Sequence, residues 1–172
     1  IVLTKINDEP AATSPFIFNA LRPVKLSGEV RNLDGNTILS NYNGDLSVNI
    51  FDKMVERTTL GNDGITNSSG LILMNFTLLG ETIFRGNASV TAGKFEISFV
   101  VPQDIRIPLG NGKISFYAKR DVPNLEDQTG YDKTIQIGGV NVNAPTDATA
   151  PTVRLHMNDE GFVSGGITNC SP

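Results

Sequence analysis

The sequence has no tryptophan, one cysteine and one histidine in 172 residues. A lone Cys170 rules out an intrachain disulfide and leaves the redox compartment open. Zinc needs three or four nitrogen or sulfur ligands, and His156 with Cys170 cannot supply them. The same two residues are the only Cys–His pair open to nucleophilic catalysis, which demands a base within hydrogen-bond reach and an oxyanion hole. His156 falls on the polar face of a predicted strand and Cys170 in the terminal stretch. They read as a surface histidine and an idle cysteine. Without tryptophan the chain lacks a strong stacking surface for sugars. It also lacks the Cys–Trp–Cys core of antibody domains.

Charge is equally unhelpful to several function classes. The net charge is −4, with acidic and basic residues interspersed. That offers no basic footprint for nucleic acid and no polybasic patch for a lipid surface. No apolar run approaches the ~18–20 residues of a membrane-spanning helix. Neither a P-loop nor a dinucleotide fingerprint is present. No segment sustains a 3.6-residue apolar period, so little helix is expected. Ile1 opens the chain without a charged leader or cleavage signal, and an internal excerpt of a longer protein is expected. No catalytic residue, metal ligand or cofactor site is assigned from the sequence.

What is present is a period of two. Phe95, Ile97 and Phe99 alternate with Lys94, Glu96 and Ser98, the pattern of a half-buried strand. Pro102 closes that run. After Gly110-Asn111-Gly112, read as a turn, Ile114, Phe116 and Ala118 line one face of a second strand. The two are expected to be neighbours in one sheet, joined as a hairpin with a long connection. Val24, Leu26, Gly28 and Val30 line another strand, which ends at the Asn32–Asn36 turn. Leu46, Val48 and Ile50 line the next. Leu71–Leu79 and Ile83–Val90 follow, joined by Gly80-Glu81, and the second is irregular across Gly86, which suggests a bulge there. Ile135 and Ile137 mark a short strand. Asn62–Gly70 and Arg120–Tyr131 read as polar loops, the former the least ordered stretch.

About eight short strands with Gly, Asn and Pro turns predict an all-β fold, an antiparallel β-sandwich of immunoglobulin-like architecture. Residues 1–19 read as an N-terminal strand and linker, 20–140 as the sandwich and 141–151 as a second linker. Residues 152–172, with Val153, Leu155 and Met157 on one face, read as the truncated start of a second β-domain. That start is too short to enclose a core. Asp34 with Asn36, Asp63 with Asn62, and Glu126-Asp127 are oxygen-rich turns that could hold Ca²⁺, but Asx-turn chemistry is the simpler reading. Asp52-Lys53 reads as a strand-end cap, Asp52 accepting turn N–H groups.

Several stretches, in order, resemble one family. They are ALRPVKLSGEV (Ala20–Val30), YNGDLSVNIFDK (Tyr42–Lys53), LGN (Leu60–Asn62), GKFEISFVVPQDI (Gly93–Ile105), GNGKISFYA (Gly110–Ala118) and APTVRLHMNDEGFVSGG (Ala150–Gly166). The chain thereby resembles the region C-terminal to the peptidase domain of PorU-type sortases. These are gingipain-like cysteine peptidases of the Bacteroidetes type IX secretion system. The resemblance implies a non-catalytic structural or interaction module at the bacterial cell surface. The family's catalytic His and Cys would lie in an upstream domain, and His156 and Cys170 do not match them. Its implied partners are other domains of the parent protein, secretion-system subunits or cargo. In such a bacterial chain the Asn67, Asn75, Asn87 and Asn169 sequons are chance matches rather than glycosylation sites. The rival reading is a stand-alone adhesion or carbohydrate-binding module.

Overall fold

A computed structural model describes residues 1–13, 15–145, 150, 152–153 and 161. In chain order the strands are β1 (Val2–Ile6), β2 (Glu9–Pro10), β3 (Ile17–Ala20), β4 (Pro23–Glu29), β5 (Gly44–Phe51), β6 (Val55–Thr58), β7 (Thr66–Asn67) and β8 (Gly70–Leu71). They continue with β9 (Asn75–Leu78), β10 (Thr82–Val90), β11 (Lys94–Val100), β12 (Gly110–Asn111), β13 (Lys113–Arg120), β14 (Glu126–Asp132) and β15 (Gln136–Val140). No helix occurs among the described residues.

Two antiparallel four-stranded sheets, β11-β4-β1-β2 and β10-β5-β13-β14, enclose one core. Period-two alternation decides which side chains enter it. Val24 and Leu26 from β4, Leu46, Val48 and Ile50 from β5, and Ile114, Phe116 and Ala118 from β13 are all buried. A third sheet, β12-β15-β3, pairs β15 and β3 in parallel and adds Phe18, Ala20 and Ile137 to the same core. Residues ahead of Ala20 thus supply strands to this architecture. Gly28 is glycine for a steric reason: a Cβ there would meet the Phe95 ring at 2.3 Å and the Val2 carbonyl at 2.6 Å.

Phe95, Ile97, Phe99, Ile114 and Phe116 are buried as expected, but the strands that carry them are not neighbours. β11 pairs with β4, whereas β13 pairs with β5 and β14 in the other sheet. Alternation specifies the buried face and not the hydrogen-bonded partner. The residues between β11 and β12 are numerous enough to carry the chain across the sandwich, where a tight turn could not. Gly110-Asn111 is likewise a short strand against Gln136 and Ile137, not a hairpin turn.

Two further expectations change. The register shift in β10 lies between Thr82 and Phe84, while Gly86 pairs regularly with Val48. The apparent irregularity at Gly86 has another origin: the Phe84 ring lies over it, within 2.5 Å of where a Cβ would sit. Within the stretch read as a polar loop, Glu126–Asp132 forms β14, an edge strand of mostly polar residues that period-two apolar patterning could not reveal. The expected second β-domain falls largely outside the described residues. Its Val153 is described and exposed.

Candidate functional site

Between β5 and β10 the chain leaves the sandwich and returns, forming a hairpin arm over residues 55–78. Among the described residues its strands β6 and β9 pair only with each other, and β7 and β8 make a smaller ribbon near the tip. The stretch read as a loop at Asn62–Gly70 is therefore the end of an arm. Register places Val55 opposite Leu78, Arg57 opposite Phe76, and Glu56 opposite Thr77. Alternation then sorts the arm into two faces. Val55, Arg57, Phe76 and Leu78 share one, and Glu56, Thr58, Asn75 and Thr77 share the other. Thr59 donates its N–H to the Met74 carbonyl at 2.9 Å, which carries Met74 onto the apolar face. Phe76 is 44% and Met74 69% exposed. Toward the tip, Leu60, Ile65, Leu71, Ile72 and Leu73 are exposed as well.

A two-stranded ribbon with an uncovered apolar face is marginal by itself in water. Contiguous exposed apolar surface of this kind is uncommon on a folded chain. Both outer edges of the β6–β9 ribbon also carry unpaired backbone N–H and C=O groups, a template for strand addition.

The arm's root is polar and ordered. Asp52, just past β5, is 3% exposed and is the buried charged side chain among the described residues. Its Oδ1 accepts the Lys53 N–H at 2.7 Å and pairs with Lys53 Nζ at 2.7 Å, and its Oδ2 accepts from Arg106 Nε at 3.0 Å. Burial alone would raise the Asp52 pKa. The hydrogen bonds from the Lys53 ammonium and backbone and from Arg106 outweigh it and hold the carboxyl below its ordinary value. A cleft of about 440 Å³ opens here, lined by Asp52, Lys53, Met54, Leu79, Lys113 and Lys133 among others. Lys113 and Lys133 flank the Tyr131 ring, at 5.7 and 5.3 Å from its centroid.

The strand-end cap read at Asp52-Lys53 is present, but Arg106 was invisible to that reading because it comes from a connection 54 residues away. Asp34 forms an Asx turn, its Oδ1 accepting the Asn36 N–H at 2.7 Å, and that bond lowers its pKa. Asp63 Oδ1 faces the Ile65 N–H at 3.4 Å, and Glu126 is committed to Arg120 and Gln128. Among the described residues no three His, Cys, Asp or Glu side chains are grouped as metal ligands. Asn67, Asn75 and Asn87 each accept a local hydrogen bond, from the Ser69 N–H and the Thr58 and Ser47 hydroxyls. His156, Asn169 and Cys170 lie outside the described residues.

No protein-family model matches the chain, and no curated protein matches it. A solved structure does. Dimeric latent PorU from Porphyromonas gingivalis aligns with 94% of this chain at a TM-score of 0.70 and 26% identity. The chain is similar to a region of PorU. It spans 15% of the length of that neighbour. A sporulation control protein from Bacillus subtilis, Spo0M, aligns over 80% of this chain and 47% of its own at 13% identity. Its TM-score is 0.33.

Proposed function

We propose that the chain is a non-catalytic β-sandwich module of a type IX secretion sortase at the bacterial cell surface, and that its hairpin arm makes the contact with another protein chain. The observation that carries the reading is the exposed apolar row Met74, Phe76 and Leu78, with Arg57 beside Phe76, on a ribbon that pairs with no other strand among the described residues. The likeness to PorU supports the parent protein, and peptide-bond chemistry is assigned to a peptidase domain outside this chain. The PorU neighbour is dimeric and latent. By that likeness the occupant of the arm is a second copy of the parent protein.

Sedimentation velocity over a range of concentrations tests this on the parent protein and on a variant carrying Met74→Ser, Phe76→Ser and Leu78→Ser. Association that is lost in the variant, with the sandwich still folded, supports the reading. Equal association in both overturns the role of the arm. Arg- and Lys-ended fluorogenic peptides test the other half: turnover by this chain alone would overturn the non-catalytic assignment.

A further inference from the structure

We infer that Asp52, Lys53 and Arg106 form a lock that fixes the direction in which the hairpin arm leaves the sandwich. The functional weight of this rests on the arm being an interaction element, but the lock itself is a statement about geometry. The arm joins the sandwich through two crossings only, one at Asp52-Lys53-Met54 and the other at Leu79-Gly80-Glu81. Its strands pair with one another and not with the two main sheets. A ribbon attached in this way would pivot about its root unless something braced it.

The bracing is reciprocal. Arg106 Nη2 donates to the Lys53 carbonyl, and Lys53 Nζ donates to the Arg106 carbonyl at 2.8 Å. Lys53 Nζ also donates to the Ile137 carbonyl at 3.1 Å. One arm crossing is thus tied to the connection over residues 101–109 and to β15, with the Asp52 carboxylate between the two cations. The second crossing is closed onto the first, because the Asp52 N–H donates to the Glu81 carbonyl at 2.8 Å. Packing leaves no slack. A Cβ on Gly80 would sit 2.2 Å from the Asp52 carbonyl oxygen, and one on Gly110 would sit 2.7 Å from Lys53 Cδ.

A buried ion pair is a weak source of net stability, because desolvation offsets much of the attraction. Its bonds are directional, however, and apolar packing is not. At the foot of an otherwise unsupported ribbon, that directionality holds one orientation. An arm held in its docking orientation loses less conformational freedom on binding.

Electron–electron distance measurements decide the matter. Nitroxides are placed at the arm tip and on the sandwich through Ser68→Cys and Ser98→Cys, in a Cys170→Ser background of this chain. With the lock intact the distance distribution should be narrow. Asp52→Asn and Arg106→Gln should broaden it, and Arg106→Lys, which keeps a cation beside Asp52, should restore much of the narrowness. Unchanged width in both Asp52→Asn and Arg106→Gln overturns the lock. If Asp52→Asn fails to fold, Arg106→Gln decides alone, since Arg106 is half-exposed on a connecting segment. Where the parent protein associates, Arg106→Gln should also weaken association about tenfold. A parent protein that does not associate removes the proposed role of the arm and leaves the width comparison standing.

Discussion

Phe95 and Phe116 face each other across the two sheets, ring centroids 5.5 Å apart and planes tilted by 48°. That contact, not a backbone ladder, is how β11 and β13 meet. Phe99 is held in the same layer, stacked on Phe84 at 4.2 Å and edge-on to Phe18 at 6.1 Å. Aromatic pairs in such arrangements add ~0.5–1.5 kcal/mol beyond the area they bury. A double-mutant cycle on Phe95→Leu and Phe116→Leu, read by urea denaturation, should return a coupling energy of that size. Phe99→Ala alone should cost ~3–5 kcal/mol, as expected for a buried phenylalanine. Additive behaviour in the cycle would contradict the cross-sheet contact.

Glycine substitutions should separate the core from the tip of the arm. Gly28→Ala sets a methyl against the Phe95 ring and the Val2 carbonyl, inside the first sheet. The backbone must shift, and the global unfolding free energy should fall by ~1–3 kcal/mol. Gly64, near the arm tip, has open space around it but a φ of +68°. Gly64→Ala should cost ~1–2 kcal/mol locally from the left-handed backbone alone. Thermal melting should register the first and barely register the second, with local hydrogen exchange reporting the second.

The buried faces were legible in the sequence, since Val24, Leu26, Leu46, Val48, Ile50, Phe95 and Phe116 all follow period two. Pairing was not, because a strand's alternation says nothing about which neighbour it meets. β14 escaped notice because an edge strand that reads EDQTGYD has no apolar face to betray it. The exposure of the arm escaped for the opposite reason. Its alternation over Met74, Phe76 and Leu78 resembles that of a buried strand, and only three-dimensional placement shows these side chains left exposed by the described residues. Of the root cluster, Asp52-Lys53 drew attention as a local pair. The distant Arg106 left no local signal.

Acid should weaken the root in a defined window. The hydrogen bonds from Lys53 and Arg106 hold the folded Asp52 pKa below its ordinary value, despite burial. The unfolded chain then takes up the proton first as pH falls. The stabilisation is fully present above the ordinary aspartate range near ~3.9 and is lost as pH drops through that range toward the folded value. Urea midpoints measured from pH 7 to pH 3 should fall more for the unmodified chain than for Asp52→Asn. Glu126 is also held below its usual value, by its hydrogen bond to Arg120. Its side chain is 34% exposed, so solvent screens the pair and Glu126→Gln should alter the profile little. A larger effect from Glu126→Gln than from Asp52→Asn would contradict the assignment.

The arm should be separable from the sandwich. None of residues 55–78 belongs to the buried core, and the β5–β10 ladder resumes with Phe51 opposite Thr82 immediately beyond the root. Replacing residues 55–78 by a short Asn-Gly turn would join two antiparallel strands that already pair, a geometry such turns favour. The shorter loop also lowers the entropy cost of closing β5 onto β10, a gain that grows only slowly with length. Exposed apolar surface removed with the arm contributes nothing to the folded core. The shortened chain should therefore keep its far-ultraviolet circular dichroism and melt within a few degrees of the intact chain. In the parent protein the same excision should abolish association. Collapse of the fold on excision would show that the arm stabilises the sandwich, and its exposed face could then no longer be assigned to contact alone.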